Sequence, residues 1–266
     1  HALKRRLWDL RLLLRGTVRD RARRLADWEG LDADALRGLQ RNHLRALLRH
    51  AGTHTPFYRD RLRKHGVLDD TVRLDRFQQL PLLDKETLRT ESEALQSDDL
   101  DERDWRYNTS GGSTGEPVRF IQDDDYHQWH LAVKRHFNGW TGYQAGQPRI
   151  KLWGSERDLL VGEEMLKTRL RRWVRNEHCL NAFRMGEARM RDFVERINEV
   201  APDQILAYVE SLYDLARFIE DEELAVHSPR AVMTSAGTLH DPMRETIRRG
   251  FRAPVINRYG SRQVGD

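Results

Sequence analysis

The chain has 266 residues, of which 38% are hydrophobic and 33% are charged, and it contains a single cysteine, Cys179. It lacks the run of roughly 18 apolar residues that a membrane span requires, and it shows no secretory signal. One thiol cannot form an internal disulfide or a thiolate zinc site. We therefore expect a soluble, cytoplasmic protein that is stabilised by an ordinary hydrophobic core.

The 46 Lys and Arg residues exceed the 42 Asp and Glu residues, which gives a formal net charge of +4. A basic balance is compatible with nucleic acid or with anionic lipid. The two signs of charge are mixed along the chain, however, and no recognised nucleic-acid-binding motif accompanies the basic residues. We therefore expect no nucleic-acid partner.

The N-terminal region is predicted to be helical. Its first helix has an apolar seam at helical spacing with basic residues around it, formed by Leu3, Leu7, Leu10, Leu14 and Val18. This seam either packs on the rest of the protein, which we favour, or lies on an anionic membrane, which would make residues 1–29 a peripheral membrane contact. Further helices are predicted over residues 36–51, over a basic stretch that ends at Gly66, and over residues 84–90.

From Trp105 onward, short β-prone runs alternate with amphipathic helices. Strands are predicted over residues 106–108, 118–122, 149–153, 204–207, 231–234 and 254–257, and helices over residues 124–139, 162–175, 186–200, 211–222 and 241–249. This order predicts an α/β fold of layered sheets with flanking helices. We therefore divide the chain into a helical N-terminal segment, residues 1–100, which packs on an α/β core, residues 101–266.

The strongest local signal is a loop between the first two predicted strands. Its residues are all glycine or hydroxylic: Thr109, Ser110, Gly111, Gly112, Ser113, Thr114 and Gly115. Glycines let backbone N–H groups turn toward an anion, and hydroxyl groups add donors. It is not a Walker A loop, because Glu116 stands where a lysine would be required. By itself the loop is either a phosphate-binding loop or an ordinary turn that joins a hairpin.

Several ordered motifs carry a family resemblance. The segment from Thr109 to Pro117 resembles the phosphate-binding loop of adenylate-forming enzymes, the superfamily of acyl-CoA synthetases and related ligases. Residues 258–263, Arg-Tyr-Gly-Ser-Arg-Gln, resemble its second motif. His50-Ala51, the Pro-Phe-Tyr-Arg run at residues 56–59 and the Leu-Pro-Leu run at residues 80–82 are similar to the phenylacetate-CoA ligase family and its capsule-biosynthesis relatives.

The resemblance implies the fold of the large N-terminal domain of these enzymes and a reaction in two steps. A small-molecule carboxylate attacks the α-phosphate of ATP and releases pyrophosphate, and a thiol such as CoA then attacks the acyl-adenylate. ATP, Mg2+ and CoA are the implied cofactors. An ionised carboxylate needs no general base for the first step.

The resemblance also assigns roles to residues. Residues 109–115 would hold the β and γ phosphates, the backbone of Ser235, Ala236 and Gly237 would line the adenine, and Tyr259 would stack on it. The nucleotide would also lie near Asn257, Arg258, Gly260 and Ser261. Gln263 stands where the family has a Glu that helps to hold magnesium. We therefore assign Gln263 as the catalytic and metal-binding position, although its amide brings no negative charge.

The acyl pocket is predicted from position alone. Trp153, Tyr208 and Ser211 occupy regions that line this pocket in the family. An aromatic residue after a strand is more often part of the core, so both interpretations stay open.

Enzymes of this family continue beyond the tyrosine motif with a small C-terminal domain that carries a catalytic lysine. No lysine follows Lys167 here. We expect the 266 residues to be the N-terminal portion of a longer protein, with an incomplete core that is inactive by itself. An adenylyltransferase that uses a hydroxyl acceptor and a non-catalytic scaffold in polysaccharide biosynthesis are the alternatives. The sequence leaves open whether the protein forms a homodimer.

Overall fold

The computed structural model describes residues 16–110, 117–154, 169–170, 172–183, 185–261 and 265. These residues fall into two compact units. One consists mainly of Arg23–Leu131 and the other mainly of Ala132–Ser261.

α-Helices dominate the chain before residue 105. They are α1 (Gly16–Glu29), α2 (Ala33–His54), α3 (Pro56–Lys64) and α4 (Lys85–Thr90), with 3-10 turns at Leu74–Gln79 and Leu100–Glu102. Asp32 caps α2, and its carboxylate accepts the N–H groups of Asp34 and Ala35 at 3.0 and 2.8 Å. Such caps satisfy backbone donors that a helix start leaves without partners.

A small apolar cluster fixes α2 against α3. Leu48, Leu62 and Val67 are its buried members. The helical N-terminal region predicted from the sequence is confirmed over the described residues, whereas the leucine seam of residues 3–14 lies outside them. Within the described part of the chain, no helix is both long enough and apolar enough to cross a membrane.

A β-hairpin follows the helices. Strands β1 (Trp105–Thr109) and β2 (Arg119–Asp123) pair antiparallel, and Thr109 lies opposite Arg119 at the end that carries the glycine-rich loop. Ser110 closes this end, because its N–H donates to the carbonyl oxygen of Val118 at 2.9 Å and its Oγ accepts the N–H of Val118 at 3.0 Å. Both strands lie within one residue of their predicted bounds.

The rest of the chain is an α/β layer. Its strands are β3 (Arg149–Leu152), β4 (Glu177–Leu180), β5 (Gln204–Tyr208), β6 (Ala231–Ser235) and β7 (Val255–Asn257), and its described helices are α5 (Asp124–Trp140), α6 (Glu187–Val200), α7 (Val209–Asp221) and α8 (Asp241–Phe251). Residues 169–170 and 172–175 are also helical. The sheet order is β4-β3-β5-β6-β7, and all neighbouring strands are parallel. The predicted α/β fold is therefore confirmed.

One face of this sheet forms the main core. Alternate strand residues point to the same face, so Ile150 and Leu152 of β3 lie beside Ile205 and Ala207 of β5. Apolar side chains from α6, α7 and α8 cover them, including Phe193, Leu212, Leu215, Ile247 and Phe251. Runs such as Gln-Ile-Leu-Ala-Tyr at β5 are typical of such buried parallel strands.

Strand β4 was not predicted from the sequence. Its residues, Glu177, His178, Cys179 and Leu180, lack the apolar run that marks a buried strand. β4 lies at the edge of the sheet and its side chains remain partly exposed, so polar residues are tolerated there. Pairing with β3, rather than composition, makes it a strand.

A close approach of α7 and α8 yields a test of the packing. A Cβ added at Gly250 would lie 3.1 Å from both the carbonyl oxygen and the Cβ of Ala216. We expect Gly250→Val to lower the free energy of unfolding by about 1–3 kcal/mol in urea denaturation, because the helices cannot separate without opening the core.

Gly38→Ala in α2 is the matched control. A Cβ at Gly38 meets no atom within 4 Å, so we expect a gain of up to about 1 kcal/mol from helix propensity alone. Equal effects of the two substitutions would contradict the packing argument.

The neck of the hairpin loop yields a second test. Ser110→Ala removes the acceptor of the Val118 N–H, and Val118 is only 1% exposed. We expect a loss of about 1–3 kcal/mol in the free energy of unfolding, because a buried donor is left without a partner.

Ser228→Ala serves as the control for the loss of a hydroxyl. The Ser228 hydroxyl donates to the carbonyl oxygen of Arg252 at 3.0 Å in an exposed position. Water can replace that bond, so the loss should stay under about 1 kcal/mol. A Ser110→Ala protein as stable as wild type would show that the neck does not depend on this hydroxyl.

Candidate functional site

The candidate site is the edge of the parallel sheet at which its strands end. Trp153 directly follows β3, and Tyr208 and Ser235 are the last residues of β5 and β6. The register pairs Tyr208 with Ser235 and Thr234 with Asn257, so these residues form a row along one edge. Four of the residues predicted for the site, Trp153, Tyr208, Ser235 and Asn257, are thereby brought to the same edge of one sheet.

The order in which strands are added reverses within this row. After β3 the chain adds β4 on one side of β3 and then β5 on its other side. In open parallel sheets ligands bind outside the carboxyl ends of the strands at such a reversal. Trp153 and Tyr208 are the residues at that position.

The Trp153 and Tyr208 side chains contact each other. Their ring centroids are 4.1 Å apart with an interplanar angle of 33°, and the Tyr208 hydroxyl donates to the carbonyl oxygen of Gly154 at 3.0 Å. Both residues are only partly buried. The pair therefore forms a fixed aromatic surface at the edge, while Ser211 lies in the first turn of α7.

The turn after β6 has an unusual backbone. Ala236 has φ +55°, a left-handed conformation that costs about 1–2 kcal/mol for a residue with a Cβ. Gly237 follows it, and a Cβ there would lie 2.7 and 2.8 Å from the two carboxylate oxygens of Glu210. Glycine at position 237 thus leaves room for the carboxylate of Glu210 to lie against the turn.

The segment after β7 presents an amide and an aromatic ring. Thr234 Oγ1 donates to Asn257 Oδ1 at 3.1 Å, so the Asn257 amide is oriented with its NH2 group as the remaining donor. The N–H of Arg258 donates to the carbonyl oxygen of Thr234 at 2.8 Å and extends the ladder by one bond. Tyr259 is 91% exposed, with Gly260 and Ser261 after it.

Part of the predicted site lies outside the described residues. These positions are Gly111, Gly112, Ser113, Thr114, Gly115 and Gln263. For the glycine-rich loop, the structure describes only the neck, where Thr109 ends β1 and Ser110 bonds Val118. The phosphate-binding role of residues 109–115 and the metal-binding role of Gln263 stay predictions.

Two charged residues near this edge, Lys151 and Glu210, were not predicted from the sequence. Lys151 lies two residues before Trp153 on the same face of β3, and its Nζ is 4.9 Å from the Trp153 ring centroid. Glu210 lies two residues after Tyr208 at the start of α7. Alternation along the strand could have placed Lys151 on the same face as Trp153. The predicted helix start after Tyr208 could have drawn attention to Glu210.

Comparison with known proteins gives one match at the level of sequence. No protein-family model matches the chain. Protein CapK of Staphylococcus aureus is 21% identical over 224 residues, which are 84% of this chain and 49% of CapK. The chain therefore spans about half the length of this curated relative.

Solved structures give a more extensive match. A crystal structure of an open conformation of 2-hydroxyisobutyryl-CoA ligase, in complex with 2-HIB-AMP and CoA, aligns with 85% of this chain and 54% of its own, at a TM-score of 0.61 and 16% identity. The same ligase in the postadenylation state with 2-HIB-AMP covers 86% of this chain and 49% of its own, at a TM-score of 0.62 and 14% identity.

At these identities the structural match establishes the fold and not the reaction. It agrees with the predicted α/β fold and with the helical N-terminal region. The chain has the fold of the N-terminal domain of adenylate-forming enzymes, and its resemblance to that superfamily is confirmed.

Proposed function

We propose that this chain is the nucleotide-binding part of an adenylate-forming ligase of the phenylacetate-CoA ligase type. The ligase joins a small-molecule carboxylate to a thiol such as CoA in the cytoplasm. The observation that carries the proposal is the row of site residues at the carboxyl edge of the sheet, from Trp153 through Tyr208 and Ser235 to Asn257 and Tyr259. The fold is that of a ligase crystallised with an acyl-adenylate and CoA.

The first step needs alignment and charge neutralisation. A bond forms between a carboxylate oxygen and the α-phosphorus of ATP, and the bond from that phosphorus to the bridging oxygen breaks, so pyrophosphate leaves with the electron pair. The carboxylate is already ionised at neutral pH, so no base is required. Donors fixed before the reaction lower the barrier because they need not reorganise as charge moves.

On the nucleotide side, the exposed ring of Tyr259 offers a face for adenine to stack on. The Asn257 NH2 group and the backbone of the turn at residues 235–237 supply hydrogen-bonding groups beside it. Residues 109–115 would hold the β and γ phosphates. Their hydroxyl and free backbone N–H groups can donate hydrogen bonds, which suits phosphate oxygens.

Magnesium would neutralise phosphate charge when bound. By the resemblance Gln263 would hold it, and this residue fits a hard cation in part, because its amide oxygen can coordinate the ion but brings no negative charge.

On the acyl side, Trp153 and Tyr208 supply an aromatic surface with Lys151 next to it. We propose that the surface contacts the apolar part of the acid, with Ser211 at its margin. The positive ammonium group of Lys151 would attract the negative carboxylate of the acid toward the edge of the sheet. In the second step the thiol sulfur attacks the acyl carbon, and AMP leaves with the electron pair of the broken bond.

A non-catalytic scaffold of polysaccharide biosynthesis is the second candidate. Gln263, which stands where the family has an acidic residue, supports it. This candidate predicts nucleotide binding without turnover, so a single activity measurement separates the two.

That measurement is carboxylate-dependent exchange between ATP and labelled pyrophosphate, made with the gene product in its full length and a panel of aryl and alkyl acids. We expect exchange with at least one acid, and faster exchange after Gln263→Glu because a charged oxygen holds magnesium more tightly. Absence of exchange with every acid in both proteins would exclude the ligase and favour the scaffold.

Tyr259 gives the test of nucleotide stacking. We expect Tyr259→Ala to weaken ATP binding about 10-fold, because stacking of a base on an aromatic ring contributes about 1–3 kcal/mol. Tyr259→Phe keeps the ring and should bind ATP as wild type does, as measured by isothermal titration calorimetry.

Thermal denaturation is the control for this pair of variants. Tyr259 is 91% exposed, so neither substitution should change the free energy of unfolding by more than about 0.5 kcal/mol. Unchanged ATP binding by a folded Tyr259→Ala protein would remove Tyr259 from the site.

A further inference from the structure

A cluster of two histidines and an aspartate lies in the unit that contains α2. His50 and His54 are four residues apart on α2, and their rings stack with centroids 4.8 Å apart. Asp99 adjoins them from the turn before β1. One ring nitrogen of each histidine and one oxygen of Asp99 all lie within 4.8 Å of one another.

The ring of His54 is held by a neighbouring carboxylate. Its Nδ1 lies 2.8 Å from Asp98 Oδ1, and a carboxylate can only accept, so Nδ1 carries the proton. The lone pair of the neutral ring is then on Nε2. Carboxylates fix metal-binding histidines in this way in known sites. Asp98 is held in turn by Arg59 at 3.1 Å.

Asp99 is held as an ionised carboxylate. Ser97 donates to its Oδ1 at 2.5 Å and Arg103 donates to its Oδ2 at 2.6 Å. The Ser97 hydroxyl and then the Arg103 guanidinium lower the pKa of Asp99 to about 2. Its side chain is 16% exposed, and those of His50 and His54 are 35% and 38% exposed, so an ion can reach all three from solvent.

We propose that His50, His54 and Asp99 bind a divalent transition-metal ion, with Zn2+ as the best fit. Two imidazole nitrogens and one carboxylate oxygen suit Zn2+, whereas Mg2+ and Ca2+ prefer oxygen ligands alone. Three protein ligands leave a fourth position of a tetrahedral site to water. This inference does not depend on the proposed ligase function.

Arg103 provides a further test of the proposal, because its guanidinium would compete with the ion for the Asp99 carboxylate. Arg103 also donates to Asp123 Oδ2 of β2 at 3.0 Å, and its guanidinium lies 3.5 Å from His50 Nε2. A bound cation repels the guanidinium and shifts it toward Asp123, which already accepts from it. The ion and Arg103 are therefore alternative partners of the same carboxylate, and removal of the positive charge of Arg103 should strengthen metal binding.

The test uses the tag-free chain after removal of metal with a chelator. Titration with Zn2+ by calorimetry should give one ion per chain, and Co2+ should give the intense visible absorption of a tetrahedral site. We expect His54→Ala and Asp99→Asn each to weaken Zn2+ binding at least 10-fold, and Asp98→Asn about 10-fold through the lost orientation of His54.

His65→Ala, which removes a histidine outside the cluster, is the matched control and should leave binding unchanged. Arg103→Gln should strengthen Zn2+ binding while the protein stays folded by circular dichroism. A cluster that serves only as a salt-bridge network would bind no stoichiometric Zn2+, and Arg103→Gln would then only lower stability. Absence of saturable binding, or binding unaffected by His54→Ala, would overturn the proposal.

Discussion

Because the strands of the α/β layer all run parallel, each delivers the residues that follow it to the same edge of the sheet. The register is set by burial, since Ile150, Leu152, Ile205 and Ala207 must all face the helices at once. A shift by one residue would turn these side chains to the opposite face. The alignment of the residues at the candidate site is therefore a consequence of the core.

The order in which strands are added reverses between β3 and β5, the position at which open parallel sheets bind ligands. Trp153 and Tyr208 stand at this reversal, and their contact, with the Tyr208 hydrogen bond to Gly154, gives the edge a fixed aromatic surface. Lys151 beside Trp153 and Glu210 beside Gly237 add charged groups. A left-handed backbone at Ala236 is maintained against its cost at the same edge, as is common at functional sites.

Other polar interactions tie the hairpin to the helices before it. Arg103 bridges Asp99 of the preceding turn and Asp123 of β2, and Asp99 lies next to the histidines of α2. At the loop end of the hairpin, Ser110 closes the neck with two bonds to Val118. The glycine-rich loop thus starts from a fixed base, whatever its residues bind.

The sequence by itself determined the α/β class, the described strands other than β4 and the superfamily resemblance, because buried strands such as β5 and motifs such as residues 109–117 are local patterns. It also placed the site residues near strand ends. Only the tertiary structure decided that β4 is a strand, that Glu210 lies against Gly237, and that Asp99 joins His50 and His54. These depend on contacts between residues far apart in the chain or on space left by a missing side chain, which no local pattern encodes.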